Sequence, residues 1–166
     1  GVSNWTTQRI EEANKFAEEN GMEPIRISQI NYSLAHSSVE TFGDNTLVCM
    51  DTKEFRWYKK HDFPVMAFSP QAKGFFAKLA KGDAANNLPE GQYAGPANLA
   101  RLAKVKQLSE QTGDTPAKIT LGYLNSQPFF VSSVFAVTKL WQLDEDMEAQ
   151  DLTYDPKTVA FLENMI

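Results

Sequence analysis

The chain has 166 residues, 42% hydrophobic and 22% charged, with a formal net charge of −5 from 16 Lys+Arg against 21 Asp+Glu. That length is enough for one domain with a buried core, no apolar run approaches membrane-spanning length, and the acidic balance argues against nucleic acid as the main partner. Cys49 is the single cysteine, so no internal disulfide can form; this fits a reducing, cytoplasmic setting, and the residue reads as structural rather than nucleophilic.

Gly1 to Asn4 reads as the end of a strand. With no basic or apolar leader region it is not a signal peptide, and without an initiator Met, Gly1 reads as an internal residue of something longer or as a processed end. Thr6 or Thr7 can cap a helix that runs to Glu19, with Ile10, Ala13, Phe16 and Ala17 at helical spacing. Asn20-Gly21 ends it. Pro24 to Ser33, rich in isoleucine, is the second strand. Leu34 to Asp51 is polar and irregular and reads as a loop, after which Asp51 caps a helix that ends near His61-Asp62.

Val65 to Phe68 is a short apolar run suited to a buried strand, stopped by Ser69-Pro70. It runs out through Gln71, Ala72 and Lys73 to Gly74, and a hydroxyl, an amide, an ammonium and a permissive glycine after a strand suit a phosphate-bearing ligand. Residues 75–94, with Lys78, Lys81, a Gly82-Asp83 turn and Pro89, read as a long loop of the functional kind. Asn98 to Glu110 is helical, with Leu99, Leu102, Val105 and Leu108 on one face. Thr115 caps and Pro116 opens a helix to about Asn125. Phe129 to Val137 is the fourth strand, Thr138 or Lys139 opens a helix to about Ala149, and Asp155 caps a final short one. Four strand–helix repeats predict a single α/β domain over 1–166 with a parallel sheet covered on both faces.

In such folds the working residues sit at the carboxyl ends of the strands. Here those ends offer Ser3 and Asn4; Gln29, Asn31 and Tyr32; Phe68 and Ser69; Thr138 and Lys139. Amides and hydroxyls with one aromatic ring, and no carboxylate pair, histidine or metal-ligand cluster, suit holding a cofactor better than carrying out chemistry. His36 and His61 read as loop or surface residues, and Tyr58 as packing.

Gly-Val-Ser-Asn-Trp, Ser28-Gln29-Ile30-Asn31-Tyr32, Ala67-Phe68-Ser69-Pro70, the helix opening Thr115-Pro116-Ala117, and Gln142-Leu143-Asp144-Glu145 follow one another as in the aldo-keto reductases. The chain resembles the C-terminal half of that family's TIM (β/α)8 barrel, four parallel βα units corresponding to strands five to eight. The resemblance implies an enzyme that reduces a small-molecule carbonyl with NADPH, or in some members NADH. The family's catalytic Asp, Tyr, Lys and His belong to the other half, so no catalytic residue is carried over; this half alone is expected to be inactive and to need the missing N-terminal half-barrel. By the same resemblance Ser3, Asn4 and Gln29 would hold the nicotinamide carboxamide and Phe68 would stack on its ring. Ser69, Gln71 and Lys73 would follow the pyrophosphate, Thr138, Lys139 and Gln142 the adenosine ribose and its 2′-phosphate, and Glu145 and Asp146 the adenine. Asp146 stands where the family commonly has Asn, and an ionised Asp cannot donate a hydrogen bond. Two open strand edges predict self-association. The alternative reading is a half-barrel that binds a dinucleotide or another protein and turns nothing over.

Overall fold

The computed structural model describes residues 1–82 and 93–163. Its centre is a parallel sheet of four strands in the order β1-β2-β3-β4: β1 (Val2–Ser3), β2 (Ser28–Asn31), β3 (Val65–Phe68) and β4 (Val131–Val134). The helices are α1 (Thr7–Glu19), α2 (Val39–Phe42), α3 (Thr52–His61), α4 (Phe75–Ala80), α5 (Pro96–Thr112), α6 (Pro116–Asn125), α7 (Leu140–Met147) and α8 (Pro156–Leu162). Sequential parallel strands with helical crossovers are the topology of half a (β/α)8 barrel.

Local chemistry sets most boundaries. Thr6, Asp51, Thr115 and Asp155 each accept a hydrogen bond from the backbone N–H three residues on, at 3.3, 2.8, 3.3 and 2.8 Å; each such cap contributes about 1 kcal/mol. Gly21 takes the left-handed conformation (φ 64°) that stops α1. The strands are shorter than their apolar runs. β2 begins at Ser28 rather than Pro24, and β4 spans Val131–Val134 rather than Phe129 to Val137. Their flanking residues belong to loops, although Phe130 still accepts from the N–H of Val65 at 2.9 Å.

Side chains alternate across the sheet. Ser28, Ile30, Val65 and Ala67 face the helices and are fully buried, whereas Gln29, Met66 and Phe68 on the other face are half-buried. The sheet is therefore covered completely on one face, not on both. Tyr58, Phe75, Phe76, Val105, Ile119, Leu124 and Leu162 fill the layer between β2–β3 and the helices. Tyr58 is packing: it is buried, and burial pushes its hydroxyl up to about 12. Phe16 and Leu99, expected on apolar faces, are 57% and 44% exposed.

The segment from Leu34 to Asp51 is mostly loop, as expected, but not wholly so. It contains α2, where the Ser38 hydroxyl accepts from the Thr41 N–H and the Thr41 hydroxyl accepts from the Ser38 N–H. Buried Asn98 on α5 pins this segment, donating to the carbonyls of His36 (2.8 Å) and Tyr93 (3.0 Å) and accepting from the His36 N–H (2.7 Å). Arg101 donates to the Leu34 carbonyl. The expected loop from residue 75 likewise begins as helix α4, with Phe75 and Phe76 in the core. Asp83 and Pro89 of that expectation lie outside the described residues.

Candidate cofactor cavity

The carboxyl ends of β3 and β4 open onto a cavity of about 680 Å3, within the range of roughly 300–1,000 Å3 usual for small-molecule sites. Its floor is the 69–74 segment. Phe135, Ala136 and Val137 after β4, the first turn of α6 and one side of α7 form its walls. Seven residues singled out from the sequence meet there: Ser69, Gln71, Lys73, Thr138, Gln142, Glu145 and Asp146.

The 69–74 segment is bent sharply because the strand must stop at Pro70 and turn into a helix. Ser69, Ala72 and Lys73 are in the left-handed region at φ 52°, 49° and 55°, and Gly74 follows at 82°. For residues with a Cβ this costs on the order of 1–3 kcal/mol each, so the surroundings must hold the conformation. Ala72 donates to the Ser69 carbonyl and Gly74 to the Gln71 carbonyl, both at 2.9 Å. Across the cavity, Gln71 Nε2 donates to Asp146 Oδ1 at 2.6 Å. Asp146 is only 4% exposed. Burial pushes its carboxyl above the usual range, opposed by the Gln71 amide and reinforced by the Glu145 charge beside it.

Gln142 has a local task. Its Oε1 accepts from the N–H groups of Thr138 and Lys139, both at 3.0 Å, and from the Thr138 hydroxyl at 3.2 Å, closing the start of α7. Lys139 is the N-cap residue of α7, outside the cavity lining. Two residues at the cavity carried no assignment from sequence. Lys81 Nζ lies 5.1 Å from the centre of the Trp141 ring, a cation–π distance, and both side chains line the cavity. Their separation of sixty positions hides that contact from any local pattern.

The other predicted residues sit at the ends of β1 and β2. Ser3 and Gln29 are register partners, and the Ser3 hydroxyl donates to Gln29 Oε1 at 3.3 Å. Asn4 is left-handed (φ 54°), which Asn tolerates, and its Oδ1 accepts from the Val48 N–H at 3.1 Å. Both carbonyl oxygens are thus engaged, and what Asn4 and Gln29 can turn toward a ligand is amide N–H. Phe68 pairs in register with Val134 at the cavity edge, its ring half-buried on the open face of the sheet. Asn31 behind it is fully buried, donating to the Phe68 carbonyl and accepting from the Ser37 hydroxyl at 2.6 Å. Trp5 is covered by the Arg9 guanidinium, 3.8 Å from the ring centre.

Lysines 73, 78 and 81, three hydroxyls, and turned-in backbone next to an amide-bearing strand end fit a ligand with phosphates at one end and a carboxamide at the other. Parallel βα units with a cavity at the carboxyl ends of the strands define the class as an α/β half-barrel. The model of the aldo/keto reductase family matches residues 1–166, and the chain belongs to that family. It is a family of oxidoreductases that generally use NAD(P)H.

Proposed function

We propose that this chain forms the cofactor-holding half of an NADPH-dependent aldo/keto reductase that reduces an aldehyde or ketone. The cavity at the ends of β3 and β4 carries this reading: it gathers three lysines and three hydroxyls around a bent backbone whose conformation is costly to maintain. NADPH, when bound, supplies the hydride. Ser69, Gln71 and Lys73 would take the pyrophosphate, Thr138 and Lys139 the ribose phosphate, Glu145 the adenine amine, and Asn4 and Gln29 the carboxamide oxygen, with Phe68 against the ring. The aromatic side chains of the lining are Phe76, Phe135 and Trp141. By the family resemblance the group that protonates the alkoxide belongs to the other half of the barrel, so the 166 residues by themselves are expected to bind cofactor and leave carbonyls unreduced.

The test is a fluorescence titration of the whole chain with NADPH and, in parallel, NADH, exciting tryptophan and reading energy transfer to the dihydronicotinamide. Trp141 lines the cavity, so saturable transfer is expected, weakened by Phe68→Ala and by Lys73→Ala. A chain folded by circular dichroism that shows no saturable signal at millimolar NADPH would remove the dinucleotide reading. Equal affinity for NADH would remove the 2′-phosphate assignment of Lys139.

A further inference from the structure

Gln71 and Asp146 both line the cavity, and one N–H of the Gln71 amide is committed to Asp146 Oδ1. Their hydrogen bond joins the middle of the 69–74 segment to α7 across 75 residues of sequence, at 2.6 Å. Asp146 is a 4% exposed lining residue whose Oδ1 is committed to Gln71. Gln71 itself is in an ordinary conformation (φ −97°, ψ 14°) between left-handed Ser69 on one side and left-handed Ala72, Lys73 and Gly74 on the other. Such reversals of handedness are the backbone setting of anion-binding concavities; here Ala72 and Gly74 spend their N–H groups on the Ser69 and Gln71 carbonyls, and those of Gln71 and Lys73 are the ones the run can offer an anion. The segment's own hydrogen bonds span three residues each. Among the described residues, the Gln71–Asp146 bond is the side-chain hydrogen bond that ties this run to another element.

Resting on the cofactor reading above, we infer that Gln71 and Asp146 form a clasp that holds the 69–74 backbone preformed for the pyrophosphate. Asp146 is then a positioning residue that acts through Gln71 and does not read the adenine. An acceptor-only carboxylate suits this role: it can receive the Gln71 amide N–H but could not donate to a ring nitrogen. Glu145, the neighbouring lining residue, remains available to accept from the exocyclic amine.

The experiment measures binding of three probes, NADPH, inorganic pyrophosphate and adenosine, to the whole chain and to Gln71→Met, Asp146→Ala, Asp146→Asn and the Gln71→Met/Asp146→Ala pair. Met keeps the length of Gln71 without its donor, and Asn keeps an acceptor oxygen for Gln71, so at least these two variants are expected to fold. Gln71→Met and Asp146→Ala should each weaken pyrophosphate and NADPH about tenfold. The double variant should be no worse than either, Asp146→Asn should stay within about threefold of the parent, and adenosine should be indifferent throughout. The clasp is overturned if Asp146 variants change adenosine affinity while Gln71→Met changes nothing, or if the two single losses multiply in the double variant. Pyrophosphate binding that depends on the clasp, in a chain that ignores NADPH, would keep the clasp and reject the dinucleotide. A folded chain that binds neither would reject both.

Discussion

Glu54 shows how one carboxylate can serve two elements against its own electrostatic interest. It is 5% exposed on α3, and its Oε2 accepts from the N–H of Thr7 at the first turn of α1, 3.0 Å away. A helix N-terminus favours negative charge, but burial outweighs that here and, with Asp51 nearby, holds the carboxyl above its ordinary range despite the Thr7 donor and Lys53. A raised carboxyl pKa means that the folded chain binds the proton more tightly than the unfolded chain does. Glu54's contribution to stability is therefore fully present below the ordinary carboxyl range and is lost as the pH rises through the raised value. Glu54→Gln keeps an oxygen for Thr7 and does not titrate. Its melting temperature relative to the parent should climb as the pH rises above the ordinary carboxyl range. Paired thermal melts giving a flat or falling difference would show that the helix terminus, and not burial, dominates at this site.

Elements of this chain differ in how far their cause lies from them. Asn98 on α5 holds both polar groups of His36 and the carbonyl of Tyr93, so one amide organises the 34–50 segment from sixty residues away. Asn98→Ala would leave three backbone groups without these partners. At about 1 kcal/mol net for each bond lost, and more where water cannot reach, urea unfolding should report a loss of roughly 2–4 kcal/mol, with faster exchange of the His36 N–H. A loss under about 1 kcal/mol would mean that Arg101 and the Ser37–Asn31 bond suffice. The same distance explains what could be read from sequence. Helices α1, α3, α6 and α8 were legible because Thr6, Asp51, Thr115 and Asp155 act within three residues, and β3 was legible because its apolar run ends in Pro70. α2 escaped because its cap pairs Ser38 with Thr41, not with a Glu or Gln, and because its surroundings are set by α5. At the site, Ser69, Gln71 and Lys73 were legible as a run following a strand. The bond between Gln71 and Asp146 and the stacking of Lys81 on Trp141 join positions sixty or more apart, and no periodicity encodes them.

At the scale of the whole molecule, the sheet is four strands with β1 and β4 at its edges, and no further strand pairs with either among the described residues. Beside β4 the surface is apolar. Leu140 is 81% exposed, Leu143 38%, Met147 49% and, at the end of the strand, Val134 39%. Leu140, Leu143 and Met147 recur at the spacing of one helix face, so α7 presents a hydrophobic stripe in addition to the open edge of β4. Each of those features favours association by itself, the edge through hydrogen bonds and the stripe through loss of apolar surface to water. The 166-residue polypeptide is therefore expected to self-associate in a concentration-dependent way in sedimentation velocity runs. Leu140→Glu with Leu143→Lys should shift it toward monomer while leaving the melting temperature nearly unchanged, because neither side chain is buried. These substitutions lie on the outer side of α7 from Gln142 and Asp146, so nucleotide binding serves as a control for the cavity. A parent chain that stays monomeric at every concentration would mean that the edges are blunted by twist and by the loops beside them. A variant that associates as strongly as the parent would locate the contact away from α7, leaving the outer edge of β1 as the next surface to alter.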